Sequence, residues 1–281
     1  MSIGLQALQE NTKKTIKRSS FSKVNLGLWV KEKRADNYHD IETIFFENKN
    51  LYDDIKIELV ENNTLIINVL FLQEDLNYLI PKSKNSIYLA ACLFFKKVQK
   101  SYICNIEVNK NIPIEAGLGG GSSNAACVLK GLNELFKSPL TNNELLDLAL
   151  EIGSDVPFFI LGETCLATGR GEILTSLENK LNLDICIVKS KEISISTKWA
   201  YEQIDAREFQ VDRKEQISNL ILAMKGENYE LFFENMFNDF EIVAFSCFPE
   251  LILERKKLLD KGYKVVGLCG SGSALFGVKS K

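Results

Sequence analysis

The sequence lacks a hydrophobic run long enough to cross a membrane, an excess of either charge, and paired cysteines. Its longest apolar stretch, residues 87–95, is about half the length of a membrane-spanning helix, and the N-terminus has no apolar core of a secretory signal. Thirty-four Lys and Arg against 37 Asp and Glu give a net charge of −3, which excludes a global basic field that would attract nucleic acid or an anionic membrane. The seven cysteines never form Cys-x-x-Cys, as is typical of reduced intracellular thiols. We therefore expect a soluble, cytoplasmic protein with neither a nucleic-acid nor a membrane partner.

The composition is otherwise that of a folded globular protein, with 46% apolar and 25% charged residues. The length of 281 residues predicts one or two domains. Residues 1–20 are polar and carry a cluster of Lys and Arg, so we expect them to form a flexible tail. Helical segments become more frequent beyond about residue 175. We place one domain at 21–174 and a second at 175–281.

Alternating apolar residues predict that the first domain begins with a half-buried strand over residues 21–30. Its apolar face would pack on a core, while Lys23 and Asn25 point together to the other side. The segments that follow are predicted as a β meander, a helix and a strand: 41–46 and 55–60 with a turn at 48–53, then 83–97 and 102–108.

Four of the five residues 117–121 are glycines, and a predicted helix begins near Ser123. Glycines allow positive φ and remove side chains that would block a ligand, so backbone N–H groups are exposed beside the positive end of the helix dipole. This arrangement favours a phosphate, and the alternative is a merely flexible loop. A Walker A motif is excluded because Gly121 is followed by serine and not by lysine. The dinucleotide fingerprint is excluded because Ser122 and Asn124 stand where it needs its third glycine.

Three further segments carry local signals. Thr141–Glu144 forms a capping-box pattern before an apolar run that Gly153 ends. Ser154–Pro157 is typical of the start of another helix. Cys269–Gly272 separates two strand-like segments and is predicted to be a tight turn, so small residues cluster at a second place in the chain.

Residues Pro113–Ser123 resemble the Pro-x-x-x-Gly-Leu-Gly-(Gly)-x-Ser-Ser motif of the GHMP superfamily of small-molecule kinases. The other two motifs of that superfamily are similar to Lys23–Leu28 and Gly267–Ser273, in the same order along the chain. One branch of the superfamily phosphorylates a cytidine-diphosphate-linked methylerythritol in isoprenoid biosynthesis. Its distinguishing stretches resemble residues 33–39, 115–126, 153–159 and 167–172.

The resemblance implies an α+β protein with the two-domain GHMP kinase fold, in which an N-terminal ribosomal-protein-S5-like domain binds ATP and the C-terminal domain is ferredoxin-like. It implies transfer of a phosphoryl group from ATP, accompanied by Mg²⁺, to the 2-hydroxyl of the cytidylated alcohol. Homoserine and mevalonate kinases are the nearest alternatives, and the Tyr38-His39 loop argues against them. A nucleotide-binding regulatory module without turnover is disfavoured because Lys23 and Asp155 are both present. A nucleic-acid binder is disfavoured by the net charge.

The resemblance assigns Asp155 as the base that accepts the hydroxyl proton, and Lys23 as the neighbour that holds it ionised. Phosphoryl transfer to an alcohol needs such a proton acceptor and positive charge near the phosphates. Judged without the resemblance, Asp155 could equally be the N-cap of a helix that begins at Val156, and Lys23 a solvated strand lysine. We expect no dedicated cluster of metal ligands.

The resemblance also assigns residues to two binding sites. Those expected to bind ATP are Pro113, Gly117, Leu118, Gly119, Gly120, Gly121, Ser122, Ser123 and Lys110. Those expected to bind the alcohol substrate are Asn25, Tyr38, His39, Tyr201, Gly270 and Ser271. Without the resemblance, the serines could cap a helix, Lys110 could be a surface lysine, and the lone histidine and the tyrosines could be packing residues. Tyr201 is matched only loosely to the aromatic residue that stacks on the pyrimidine, and Trp199 is the alternative.

Two features depart from the family pattern. Asn37 stands where the family usually has glycine, and asparagine is the next-best residue for a left-handed turn, so we expect the loop to be retained. Family members generally continue beyond the third motif with a helix and a strand, whereas this sequence ends at Lys281. We therefore expect a C-terminal domain that is short at its end, and a monomer or a weak homodimer.

Overall fold

The computed structural model describes residues 13–190, 192–207 and 211–281, and strands and helices are mixed along the first and the last of these segments. The strands are β1 (Lys14–Lys33), β2 (His39–Glu61), β3 (Ile66–Phe71), β4 (Tyr102–Asn109), β5 (Thr164–Thr168), β6 (Ile173–Ser176), β7 (Leu183–Val188), β8 (Phe237–Asn238), β9 (Val265–Leu268) and β10 (Leu275–Ser280). The helices are α1 (Leu76–Leu79), α2 (Ser86–Val98), α3 (Gly120–Leu135), α4 (Asn142–Ile152), α5 (Val156–Leu161), α6 (Thr197–Asp205), α7 (Lys214–Gly226), α8 (Tyr229–Asn235), α9 (Phe240–Cys247) and α10 (Glu250–Asp260). This arrangement confirms the predicted α+β class.

A seven-stranded sheet forms the first part of the molecule, in the order β3-β4-β2-β1-β8, with β5 pairing to β2 and β6 to β5. The predicted turn at 48–53 is wrong, because β2 runs through it without interruption. Ser22 pairs with Asn48 and its neighbour Phe21 with Tyr52, so residues 49–51 form one of three irregularities in the antiparallel pair. The polar residues on both sides of this bulge, Asn48 and Asp53, are held in the sheet by β1.

β1 starts earlier than the sequence suggested. The prediction of a flexible tail is wrong for residues 14–20, which pair with residues 53–59 of β2, and residues 1–12 of that tail lie outside the described residues. The alternation of half-buried and exposed side chains along residues 14–19 shows that backbone pairing, and not a strongly apolar sequence, holds this segment. Residues 22–28 also differ from expectation, since they are buried on both faces and not on one.

A second, three-stranded antiparallel sheet has the order β7-β10-β9 and is accompanied by α6–α10. β8 belongs to this half of the chain, but it pairs in parallel with β1 of the first sheet. Val24 and Leu26 of β1 accordingly share one hydrophobic cluster with Leu220 and Phe276 from the second half. β6 ends at Ser176, so the boundary predicted at residue 174 falls inside a strand. β1 therefore lies where the two halves meet.

The helices of the first part begin and end largely as the sequence indicated. Thr141 forms the predicted capping box with Glu144, and Gly153 is the C-cap of α4. α3 begins at Gly120, three residues before the predicted start, and packs against β1 and β2. Among the described helices, none combines the length and the hydrophobicity that a membrane span requires.

Candidate active site

Three segments that are far apart in the sequence meet beside β1. The backbone N–H of Lys23 donates to the carbonyl oxygen of Leu118 at 3.0 Å, which joins β1 to the glycine-rich segment. Gly117 has a φ of +76°, and a Cβ at this position would lie 1.8 Å from the carbonyl oxygen of Cys269. Only glycine therefore lets the turn at 269–272 approach so closely.

The glycine-rich segment leads directly into the N-terminus of α3. Gly119, with a φ of +68°, is the N-cap and provides no side chain to cap the helix. A Cβ at Gly119 would lie 2.8 Å from the ring of Phe159, so this glycine is also required by packing. The next two glycines belong to the first helical turn and not to a loop. The N–H groups and positive dipole end of a 16-residue helix are thus available for an anion, as predicted for a phosphate.

Two cavities share this glycine-rich wall. The larger, about 990 Å³, is lined by residues of β1, the start of α5, α6 and the turn at 269–272. The smaller, about 330 Å³, is lined by residues 113–122 together with Lys110 and the start of α2. Gly117, Gly119 and Ser122 line both cavities. A ligand phosphate in one cavity could therefore face an acceptor group of a second ligand in the other.

Lys23 and Asp155 lie together in the larger cavity, as the sequence predicted. The Nζ of Lys23 is 3.9 Å from Oδ2 of Asp155, and their side chains are 7% and 35% exposed. Burial lowers the pKa of Lys23, and the nearby carboxylate of Asp155 opposes this effect. Asp155 immediately precedes α5 but makes no capping hydrogen bond, so its carboxylate is not used by the helix. The pair thus combines a shielded cation with a carboxylate that faces the cavity.

Asn25, the second polar residue of the first motif, connects Lys23 to β2. Lys23 Nζ donates to Oδ1 of Asn25 at 2.9 Å, and Asn25 donates through Nδ2 to the hydroxyl of Thr43 at 2.8 Å. Asn25 lines the larger cavity, as expected for a substrate-binding residue, whereas Thr43 is fully buried on β2.

The residues predicted to bind ATP divide into three groups. Pro113 and residues 117–122 line the smaller cavity. Lys110 lines it too, but its Nζ lies 2.5 Å from the fully buried carboxylate of Asp53, so the alternative of a surface lysine is wrong. Ser123 departs from the prediction: it is 3% exposed, its hydroxyl shares a 2.6 Å hydrogen bond with Ser20, and it lines neither cavity. Its hydroxyl belongs to the contact between α3 and β1.

The larger cavity is also lined by the predicted aromatic residues Tyr38, His39 and Tyr201. The rings of His39 and Tyr201 stack with centroids 4.9 Å apart, and burial raises the pKa of Tyr201 to about 12. Tyr38 is 58% exposed at the rim. Trp199 packs against Phe248 and does not line the cavity, so the geometry favours Tyr201 over its alternative.

The remaining predicted substrate residues come from the turn at 269–272. Gly270 and Ser271 line the larger cavity, and the hydroxyl of Ser271 lies 3.1 Å from that of Thr197. Gly270 contacts Gly117, which brings the third motif onto the glycine-rich wall.

Four residues of the site were not singled out from the sequence: Thr43, Asp53, Arg170 and Asp205. Asp205 accepts hydrogen bonds from His39 at 2.7 Å and from Lys33 at 2.6 Å, and Arg170 lies over the ring of Tyr38. Asp205 follows Tyr201 by four residues on α6, so the helical spacing was an available signal. Thr43 and Asp53 had no such signal, because their partners come from other elements.

Comparisons with known proteins agree with this geometry. The family described as GHMP kinases N terminal domain matches residues 85–163. The 4-diphosphocytidyl-2-C-methyl-D-erythritol kinase of Caldicellulosiruptor saccharolyticus is 36% identical over 261 residues, which cover 92% of this chain and 86% of that protein. The protein of the same name from Thermodesulfovibrio yellowstonii is 33% identical and covers 92% and 88%.

Solved structures show the same relationship. A crystal structure of 4-(cytidine 5'-diphospho)-2C-methyl-D-erythritol kinase superposes with a TM-score of 0.75 at 31% identity, covering 93% of this chain and 89% of that one. Homoserine kinase from Cytophaga hutchinsonii, with a TM-score of 0.73 at 17% identity, covers 100% and 88% and shares the fold. These likenesses confirm the predicted two-domain GHMP fold. The chain belongs to the 4-diphosphocytidyl-2-C-methyl-D-erythritol kinase family of GHMP kinases.

Proposed function

We propose that this kinase transfers the γ-phosphoryl group of ATP to the 2-hydroxyl of 4-diphosphocytidyl-2-C-methyl-D-erythritol, a step of isoprenoid biosynthesis. The observation that carries the proposal is the Lys23–Asp155 pair at the place where two cavities meet on a glycine-rich helix N-terminus. Relatives that are named for this activity match more than nine-tenths of the chain.

In this proposal the nucleotide occupies the smaller cavity, with its phosphates at the N-terminus of α3. Residues 117–122 would bind them through backbone N–H groups, and Ser122 adds a hydroxyl that reaches both cavities. Lys110 shapes the wall, since its Nζ would lie 3.2 Å from a Cβ at Gly120. The γ-phosphate then faces the larger cavity.

The alcohol occupies the larger cavity, with its cytidine near His39 and Tyr201 and its hydroxyl near Asp155. The carboxylate of Asp155 accepts the proton as the hydroxyl oxygen attacks phosphorus, and ADP leaves. The ammonium of Lys23 stabilises negative charge that develops on the transferred group. Its burial strengthens this effect because little water competes.

Mg²⁺ is the expected companion of ATP. Among the described residues there is no group of three His, Cys, Asp or Glu side chains that could hold a metal ion by itself. This fits Mg²⁺, which in kinases is bound by substrate phosphates and only one or two protein ligands. Ser122, which lines both cavities, and Asp155, which lines the larger one, have suitable oxygens. When bound, the ion would neutralise phosphate charge.

Incubation with Mg·ATP and the cytidylated alcohol tests the proposal, followed by phosphorus NMR of the product. We expect a new phosphomonoester on the 2-hydroxyl, and little product from homoserine or mevalonate offered in parallel. Phosphorylation of either of those alcohols at a higher kcat/KM would instead assign the chain to a sister kinase. The cytoplasmic location and the assembly as a monomer or weak homodimer stay predictions, and analytical ultracentrifugation tests the second.

A further inference from the structure

We propose that Thr43 is a positioning residue of the active site: its hydroxyl fixes the orientation of the Asn25 amide, and the amide in turn holds the Lys23 ammonium toward Asp155. The inference rests on the proposed function only in that Lys23 must act on the transferred phosphoryl group. Thr43 itself is fully buried on β2 and lines neither cavity.

A continuous chain of hydrogen bonds joins these side chains. Lys23 Nζ lies 2.9 Å from Asn25 Oδ1, Asn25 Nδ2 lies 2.8 Å from Thr43 Oγ1, and Thr43 Oγ1 lies 2.7 Å from the carbonyl oxygen of Gly27. Lys23, Asn25 and Thr43 are 5%, 2% and 0% exposed. Water therefore has little access to replace any of these bonds.

The donor and the acceptor of each hydrogen bond follow from the groups at the two ends of the chain, the carbonyl oxygen of Gly27 and the ammonium of Lys23. The carbonyl oxygen of Gly27 can only accept, so the Thr43 hydroxyl must donate its one hydrogen bond to that oxygen. The hydroxyl is then left as an acceptor and requires a donor from Asn25, which is Nδ2. Oδ1 of the amide consequently points to Lys23, whose ammonium can only donate. Without Thr43, only the ammonium of Lys23 would hold the amide, and Nδ2 would be left buried without its acceptor.

In the absence of the Thr43 hydroxyl, Nδ2 of the amide would turn toward another acceptor, and Oδ1 would move away from the ammonium of Lys23. The ammonium would no longer be held in its position beside Asp155 and over the ring of Phe45. The substrate cavities would keep their shape, because Thr43 is outside both. The predicted consequence is a slower chemical step with unchanged binding of ATP, whereas binding of the alcohol also depends on the Asn25 amide that lines its cavity.

Thr43→Val tests this, because valine keeps the branched shape and removes the hydroxyl. We expect kcat to fall about tenfold or more, as when a buried polar group loses its partner, with the KM for ATP within about twofold. Thr43→Ser retains the hydroxyl and should restore most of kcat. Thr164→Val is the matched control: this threonine is 4% exposed on neighbouring β5 and accepts from Asn179 at 3.5 Å, so kcat should stay unchanged.

Equal kcat for Thr43→Val and the wild type would overturn the proposal, and so would equal losses in Thr43→Val and Thr43→Ser. If the valine variant does not fold, Thr43→Cys replaces it, and a kcat equal to that of Thr43→Ser would contradict the role of the hydroxyl. In an Asn25→Ala background Thr43→Val should change kcat no further, because the amide is gone; a full additional loss would show an independent, structural effect. All rates are measured on the alcohol that the wild type phosphorylates, so a different substrate leaves this test intact.

Discussion

Two lysines lie next to the glycine-rich wall and each faces an aspartate, yet the two pairs differ in distance and exposure. Lys110 Nζ is 2.5 Å from Asp53, whose carboxylate is fully buried and also accepts two backbone N–H groups, from Asn111 and Ile112. Lys23 Nζ is 3.9 Å from Asp155, whose side chain is 35% exposed.

We propose that this difference separates a structural charge pair, Lys110–Asp53, from a reactive one, Lys23–Asp155. In the Lys110–Asp53 pair both carboxylate oxygens accept hydrogen bonds from protein groups. Removing either partner would leave a buried charge unpaired. In the Lys23–Asp155 pair the wider spacing leaves room for a substrate oxygen, and the exposed carboxylate can take its proton. In this proposal the exposure of the partner carboxylate, and not proximity to the glycine-rich wall alone, distinguishes the catalytic lysine from the structural one.

Asp155→Asn should have the largest effect on activity and almost none on stability. Loss of the proton acceptor is expected to lower kcat about 10³-fold, while the dissociation constant for ATP changes little. Stability should persist because the carboxylate caps no helix. Steady-state kinetics and calorimetric ATP titration measure the two quantities, with the exposed Asp147→Asn as the control. Full turnover by Asp155→Asn would refute its role as the base.

Asp53→Asn should show the opposite pattern. Removing the charge leaves the buried Lys110 ammonium unpaired, so we expect the free energy of unfolding to fall by about 3 kcal/mol. Urea denaturation followed by circular dichroism measures this loss. Glu107→Gln, which removes the partner of Lys56 in a partly exposed pair, should cost less than about 0.5 kcal/mol. Equal losses in the two variants would contradict the distinction between the pairs.

Substrate recognition by the aromatic residues of the larger cavity should give a smaller change. Tyr201→Leu keeps an apolar, though smaller, side chain and removes the aromatic face, and we expect KM for the cytidylated alcohol to rise about tenfold. Trp199→Leu lies outside the cavity and should leave that KM within about twofold. A larger rise for Trp199→Leu would reverse the assignment.

The smallest expected effect is a shift in the pH dependence of kcat. Burial lowers the pKa of Lys23, while Asp155 and Cys269, the titratable groups that face it, raise it only in part. Because the ammonium is lost as pH rises through this pKa, kcat should fall on the alkaline side at a lower pH than an exposed lysine would give. Burial raises the pKa of Tyr201 to about 12, which is above the pKa of Lys23. Lys23→Arg should remove the alkaline fall from the pH profile of the activity that remains, since guanidinium stays charged.

Local signals in the sequence predicted local structure well. The capping box at Thr141, the strand at 102–108 and the tight turn at 269–272 each depend on neighbouring residues, and all three are present. The turn at 48–53 and the tail at 14–20 were wrong for one reason, which is that pairing between β1 and β2 keeps polar segments in the sheet. Pairing partners this far apart leave no local pattern.

The sequence by itself determined which groups are available: a glycine-rich helix start, a lysine and an asparagine on one strand face, and an aspartate before α5. Their spacing and resemblance identified the family. Only the tertiary structure decided that Lys110 pairs with a fully buried aspartate, Asp53, whereas Lys23 pairs with the partly exposed Asp155. It also decided that the hydroxyl of Ser123 bonds to Ser20. The reason is that exposure and hydrogen-bond partners depend on elements brought together across the fold, and neither is a property of a residue type or of its neighbours in the chain.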